Sequence, residues 1–273
     1  MRHDYYYFDR ERLLAAPKVP IEVLADNAAV FQAMAQEMAE EIKRKNALGE
    51  TTVFICPVGP VGQYPYFVEL VNGENISLKN VWFLNMDEYL TDEKQWISKE
   101  DKLSFRGFME RTVYSKIKPE LVMPESQRVF PDPNDPENMG RVIEKLGGVD
   151  ICFGGIGING HLAFNEAQDE LTPEQFKGLH TRVLEISRET RTANAIGDLN
   201  GAIDDMPRWC VTIGMNEIYH ARKVRLGVFR DWHRAVLRHT AYGEVSAHFP
   251  ATLMQGHPDA LIRTTEFVAN LPD

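Results

Sequence analysis

Only three of the 273 residues are cysteine, and no apolar run approaches the roughly 18 residues that cross a bilayer. Cys56, Cys152 and Cys210 each stand in an apolar, strand-like run, with no CxxC and no Cys/His spacing. A disulfide scaffold and a zinc module are thereby excluded, and the thiols read as buried and reduced. Basic charge is also short. Thirty Lys and Arg against 40 Asp and Glu leave a net charge of −10, which argues against a nucleic-acid binder and against an anionic membrane surface. There is no internal repeat and no low-complexity tract. The opening MRHDYYYFDRER is polar and aromatic and has no signal-peptide core, so the expected location is the cytoplasm. What is present is 44% hydrophobic and 26% charged, which suits a globular protein with an ample core.

Strand-like and helix-like runs alternate. Residues 1–20 read as an irregular extension packed by its aromatics. From the capping residue Asp26, Phe31, Met34, Met38 and Ile42 recur at spacings of three and four until Gly49, which predicts a helix. Thr51–Cys56, Val81–Leu84, Val149–Phe153, Arg182–Ile186, Trp209–Ile213, Val224–Phe229 and Ala260–Arg263 read as strands. A helix ends near Val71, and a mixed helical stretch runs to Ile117. The alternation predicts one domain over residues 1–273: a doubly wound α/β fold with a mostly parallel sheet. In such sheets ligands sit at the carboxyl ends of strands. Three of those ends carry unusual loops: Pro57–Gly62, Asn85–Tyr89 and Gly154–Glu166.

Gly155-Ile156-Gly157-Ile158-Asn159-Gly160 fits G-x-G-x-x-G after a strand. A dinucleotide fingerprint would need small packing residues next, where this chain has His161 and then Asn165-Glu166. Four glycines in seven residues instead suit a backbone that approaches a ligand closely. His161, with Asn159 and Glu166 beside it, is a candidate acid–base group whose tautomer a neighbouring acceptor can fix. No second His or carboxylate stands at ligand spacing, so no metal is expected. Asp87, at the exit of the apolar run VWFLNM, reads either as a helix cap or as a partly desolvated general base.

Asn85-Met86-Asp87-Glu88-Tyr89 and Gly154–Glu166 (GGIGINGHLAFNE) together resemble the glucosamine-6-phosphate deaminase family. Thr190-Arg191-Thr192-Ala193-Asn194, Val211–Gly214 and His257-Pro258 add to the likeness, which runs from about Val23 to about Glu266. The related 6-phosphogluconolactonases share the fold but lack FNE after the His and NMDEY at the earlier strand. The resemblance implies an aldose–ketose isomerase and deaminase that turns an amino sugar phosphate into fructose 6-phosphate and ammonia without a cofactor. It implies that Asp87 moves a proton between C2 and C1, that His161 opens the sugar ring and that Glu166 supports His161. Gly59, Val61, Gly62, Gly155 and Gly157 are implied in substrate binding. The partner is then a small sugar or sugar phosphate, and a homo-oligomer stays open because the family holds both monomers and hexamers.

Four positions depart from the family pattern. Asn159 replaces an Asp and orients His161 without a charge. The loop Pro57–Tyr64 lacks the family's hydroxyls, and Pro60 lacks an N–H. Ile196 stands in place of an Arg. His233 falls on a phosphate-pairing Lys, with Arg230 and Arg234 close enough to compensate. Leu184 and Glu185 also replace the basic–hydroxyl pair of the family's allosteric pocket. The expectation is an enolising enzyme with weakened phosphate binding; the alternative is a catalytically weak sugar-binding relative.

Overall fold

The computed structural model describes residues 3–272. Ten strands form two sheets. Seven of them, β1 (Ile21–Leu24), β2 (Thr52–Cys56), β3 (Val81–Asn85), β5 (Arg128–Val129), β6 (Ile151–Gly155), β9 (Lys223–Val228) and β10 (Ala260–Thr265), make a sheet in the order β1-β10-β9-β6-β2-β3-β5. Every pairing in it is parallel. β2 is buried along its whole length, as a central strand covered on both faces must be.

The helices are α1 (Arg10–Ala15), α2 (Asn27–Leu48), α3 (Gln63–Gly73), α4 (Phe105–Thr112), α5 (Asn138–Lys145), α6 (Pro173–Lys177), α7 (Arg188–Asp198), α8 (Met215–Tyr219), α9 (His233–Tyr242) and α10 (Glu266–Ala269). α2 begins and ends as its sequence predicts. The Asp26 carboxylate accepts from the Ala29 N–H at 2.9 Å, and Gly49 closes the helix at φ +68°. Val30, Met34, Met38 and Ile42 are fully or almost fully buried, in a core with Phe54, Phe83 and Phe153. No helix among the described residues is long and apolar enough to cross a membrane.

Two expectations are corrected. The N-terminal extension is not irregular: Asp4–Tyr7 is a 3-10 turn, and α1 is capped by Asp9, which accepts from Arg12 N–H. Its aromatics do pack as expected, with the Tyr6 hydroxyl 2.7 Å from His239 Nδ1 and Phe8 edge-on to Tyr242. Residues 1 and 2 of that extension lie outside the described residues. Second, the strands expected at 182–186 and 209–213 do not join the parallel sheet. β7 (Arg182–Glu185) and β8 (Trp209–Thr212) pair antiparallel, and β4 (Asp87–Leu90) completes a separate three-stranded sheet, β4-β8-β7.

The small sheet is what places Asp87. The chain leaves β3 at Asn85, crosses at Met86, and enters β4 with Asp87 opposite Thr212. Met86 is clamped from both sides: its N–H donates to Cys56 O at 3.0 Å, and its carbonyl accepts from Ile213 N–H at 2.7 Å. Asp87 is thereby fixed at the seam between the sheets, beyond the carboxyl ends of β2 and β3.

Candidate active site

A cleft of about 140 Å³ opens at those strand ends. Its walls come from the segments after β2, β3, β6 and β9, on both sides of the centre from which the strand order runs outward, where open α/β sheets place ligands. Asp87, His161, Gly59, Gly155, Gly157, Arg230 and His233 line it. Asn159 and Glu166 stand behind His161. Val61, Gly62 and Arg234 are not in the lining.

The Asp87 carboxylate is 7% exposed and accepts no hydrogen bond from the described residues. Burial pushes its pKa well above the usual carboxylate range, and the neighbouring Glu88 charge pushes it the same way. Glu88 is treated oppositely. It is fully buried and accepts from the N–H groups of Tyr89, Phe105 and Arg106, the Ser104 hydroxyl and the Arg106 guanidinium. It thereby fastens the start of α4, and with it Phe105, to β4. Adjacent carboxylates thus divide the work: Glu88 holds structure, and Asp87 is left bare towards the cleft.

His161 follows a tight turn in which Gly157 N–H donates to His161 O and Gly160 N–H donates to Gly157 O, each at 2.9 Å. Those two glycine N–H groups close the turn and are unavailable to a substrate. Gly157 is required by close approach: a Cβ there would lie 1.9 Å from His161 Cε1. The ring rests on that bare backbone. Gly59 adopts φ +145°, open to glycine and strained for other residues, where the loop after β2 turns along the cleft.

The ring is held from behind. His161 Nδ1 lies 2.7 Å from Asn159 Oδ1, and Asn159 Nδ2 donates to Glu166 Oε2 at 2.8 Å. The second contact fixes the amide, because a carbonyl oxygen facing a carboxylate is repelled. Asn159 therefore accepts from Nδ1–H, and the Nε2 lone pair is the free one. That is the tautomer an Asp at 159 would also select. The Thr190 hydroxyl lies 3.2 Å from both His161 Nδ1 and Glu166 Oε2. Burial lowers the His161 pKa, and the Glu166 charge partly opposes this, so the ring is neutral at neutral pH. Asn165 of the same motif is structural: its amide donates to the carbonyls of Leu162 and Ile213.

His233 corrects an expectation. It is 4% exposed, and its Nδ1 accepts the N–H groups of Phe229 and Arg230 at 2.7 and 2.8 Å. Nε2 then carries the hydrogen and donates to Ile156 O at 3.1 Å. A ring accepting at Nδ1 is neutral, and burial lowers its pKa to about 3. It caps the turn after β9 and is no phosphate cation. Arg234 is a second correction: its guanidinium lies over Phe267, donates to Phe267 O and Asn270 O and pairs with Asp231, tying α9 to α10. Gly62 is a third. It caps α3 with the Phe31 ring filling the place of its side chain, and Val61 lies beside it. Arg230 remains the cation of the cleft. Ile196, in α7, is 69% exposed and outside the lining.

Sequence reasoning missed Thr190 and Asn194. Both line the cleft from α7, and Asn194 Nδ2 donates to the Tyr89 hydroxyl at 3.0 Å. Their signal lay in the TRTAN block, which carried the resemblance without a role. Among the described residues no three His, Cys, Asp or Glu side chains group to hold a metal ion.

No family model matches the chain. A glucosamine-6-phosphate deaminase of Bacillus velezensis is 31% identical over 215 residues, 77% of this chain and 83% of that protein. One of Clostridium beijerinckii is 29% identical over 244 residues, 86% of this chain and 95% of the other. The solved structure of a monomeric glucosamine-6-phosphate deaminase superposes with a TM-score of 0.78 at 26% identity, covering 92% of this chain and 98% of that one. The 6-phosphogluconolactonase of Trypanosoma cruzi gives 0.65 at 16% identity over 93% and 97%, a likeness of fold alone.

Proposed function

The chain belongs to the glucosamine-6-phosphate deaminase family, and we propose that its cleft isomerises and deaminates an amino sugar, glucosamine 6-phosphate or a close analogue, as a cytoplasmic enzyme. The observation that carries this reading is a bare, buried Asp87 and a tautomer-locked His161 lining one cleft.

In the first step His161 Nε2 takes the proton of the C1 hydroxyl. The C1–O5 bond breaks, and the proton passes from the ring to O5, leaving a C1 aldehyde. Glu166, bonded to Asn159 and Thr190, offsets the transient imidazolium charge at a distance. Asp87 then removes the C2 proton and returns it to C1, through an enolamine, to give an imine at C2. One water adds at C2, the C–N bond breaks, and ammonia leaves with the ketose. The base must be ionised, so the raised Asp87 pKa sets the acid limb of the activity.

The test is Asp87→Asn. It is expected to keep the fold and to abolish exchange of the substrate's C2 proton with solvent, along with ammonia release. Exchange at the wild-type rate would remove Asp87 from the mechanism.

A further inference from the structure

The turn that carries His161 is closed by its own backbone but bracketed by glycines. Gly157 and Gly160 stand at its two ends, Gly160 adopts φ +82°, and the Ile158 side chain between them is 41% exposed. Glycine gives the backbone more freedom than any other residue, so a turn of this kind needs a wall to rest on. That wall is Phe249, which is 7% exposed and lies outside the cleft lining. A Cβ on Gly160 would lie 2.4 Å from Phe249 Cδ1, so the ring sits on the bare Cα. From the same segment the Ala251 N–H donates to Gly160 O at 2.8 Å. Phe249 is itself fixed: its carbonyl accepts from the Thr252 hydroxyl at 2.7 Å and from the Thr252 N–H at 2.9 Å.

Behind Phe249 stands His239 of α9. The two rings stack with centroids 3.8 Å apart and planes 12° from parallel. The His239 ring in turn folds over Gly243, where a Cβ would lie 2.2 Å from His239 Cδ2. Burial lowers the His239 pKa to about 4, and the His3 and His248 charges act the same way, so the stack is uncharged near neutrality. The Tyr6 hydroxyl lies 2.7 Å from His239 Nδ1, and the Tyr5 ring flanks His239 at 5.5 Å. The N-terminal segment is fastened to α9 a second time, where Arg238 Nε donates to Phe8 O at 2.7 Å. His161, Phe249 and His239 thus each rest on a glycine, and the last two rest on each other. Packing this close leaves no slack, so a displacement of one ring is passed to the next. We propose that Phe249 and His239 are positioning residues for His161: backed by Tyr6, they hold the turn Gly157–His161 so that Nε2 meets the substrate. This rests on the deaminase reading above, in which His161 opens the sugar ring. Neither positioning residue lines the cleft.

The experiment measures ammonia release from glucosamine 6-phosphate by the wild type, Phe249→Ala, His239→Ala and His239→Phe, at a temperature where thermal unfolding shows each to be folded. Phe249→Ala is expected to lower kcat by about 30-fold or more and to leave KM within about twofold, because a shift of about 1 Å at a reacting group costs about 100-fold. His239→Ala is expected to lower kcat by about tenfold, again with KM little changed. His239→Phe keeps a stacked ring behind Phe249 and is expected to recover most of that loss. His239 is half-buried, and its two variants carry the test if Phe249→Ala does not fold. A kcat within about twofold of wild type in His239→Ala, a loss that falls on KM instead of kcat, or equal losses in His239→Ala and His239→Phe overturns this inference and leaves the deaminase reading standing. Absence of ammonia release from the wild type overturns the deaminase reading and this inference with it.

Discussion

Replacing Asn159 with aspartate sets a second carboxylate against Glu166. At present the Asn159 amide donates to Glu166 Oε2 at 2.8 Å while its carbonyl accepts from His161 at 2.7 Å. Aspartate would keep the second bond and turn the first into a contact between anions. Two unit charges about 4 Å apart repel by about 4 kcal/mol at an effective dielectric constant of about 20, equivalent to about 3 pKa units. Glu166 is only 8% exposed, so solvent screens little of this. The cluster would relieve the repulsion by holding one more proton than the unfolded chain holds near neutrality, on a carboxyl or on His161. Either way a folded-state pKa is raised. The stability linked to that proton is fully present below the unfolded-state pKa and is lost as pH rises through the folded one. Asn159→Asp is therefore expected to be more destabilised near pH 8 than near pH 5, by about 2 kcal/mol or more. Urea unfolding of both proteins at the two pH values measures it. Equal destabilisation at both would show that residue 159 does not bridge His161 and Glu166.

Four further outcomes follow from the same geometry. Gly157→Ala is expected to push the His161 ring aside and cut kcat by about 100-fold, since displacement by about 1 Å costs that much; unchanged kcat would refute the placement of His161. Glu88→Ala leaves the Arg106 guanidinium, the Ser104 hydroxyl and three N–H groups without their acceptor, at a cost of about 3–5 kcal/mol in urea unfolding, and a loss below about 1 kcal/mol would contradict its role as a fastener. The acid limb of kcat/KM is expected well above the unperturbed Asp pKa of about 3.9, and a midpoint near that value would refute Asp87 as the base. Phosphate affinity measured by calorimetry between about pH 6 and pH 8 is expected to show no step from His233, whose pKa lies at about 3.

Legibility in the sequence followed the range of the interactions. α2 was readable because its cap, periodic face and terminating glycine are local, and β2 because a strand buried on both faces is a continuous apolar run. The second sheet was not. β4 is four residues long and begins within Asn85–Tyr89, which reads as a loop until Glu88 is seen to receive four hydrogen bonds from Ser104, Phe105 and Arg106 besides one from its neighbour Tyr89. β7 and β8 were recognised as strands, but apolar pattern carries no record of partner or direction. The site divides in the same way. Asp87, His161 and Glu166 stood out because their loops are chemically unusual where they stand. His233 was placed at the phosphate end because it falls on a family Lys, and Arg234 because it stands next to it. The His233 charge is removed by two backbone N–H groups, and Arg234 is turned away by the carbonyls of Phe267 and Asn270. Asn159 is the instructive case, because its loss of charge was legible and its second bond was not. The amide that cannot neutralise an imidazolium is the same group that donates to Glu166 Oε2 at 2.8 Å. The substitution therefore removes the carboxylate next to the ring, keeps Glu166 behind it and leaves the tautomer as it was.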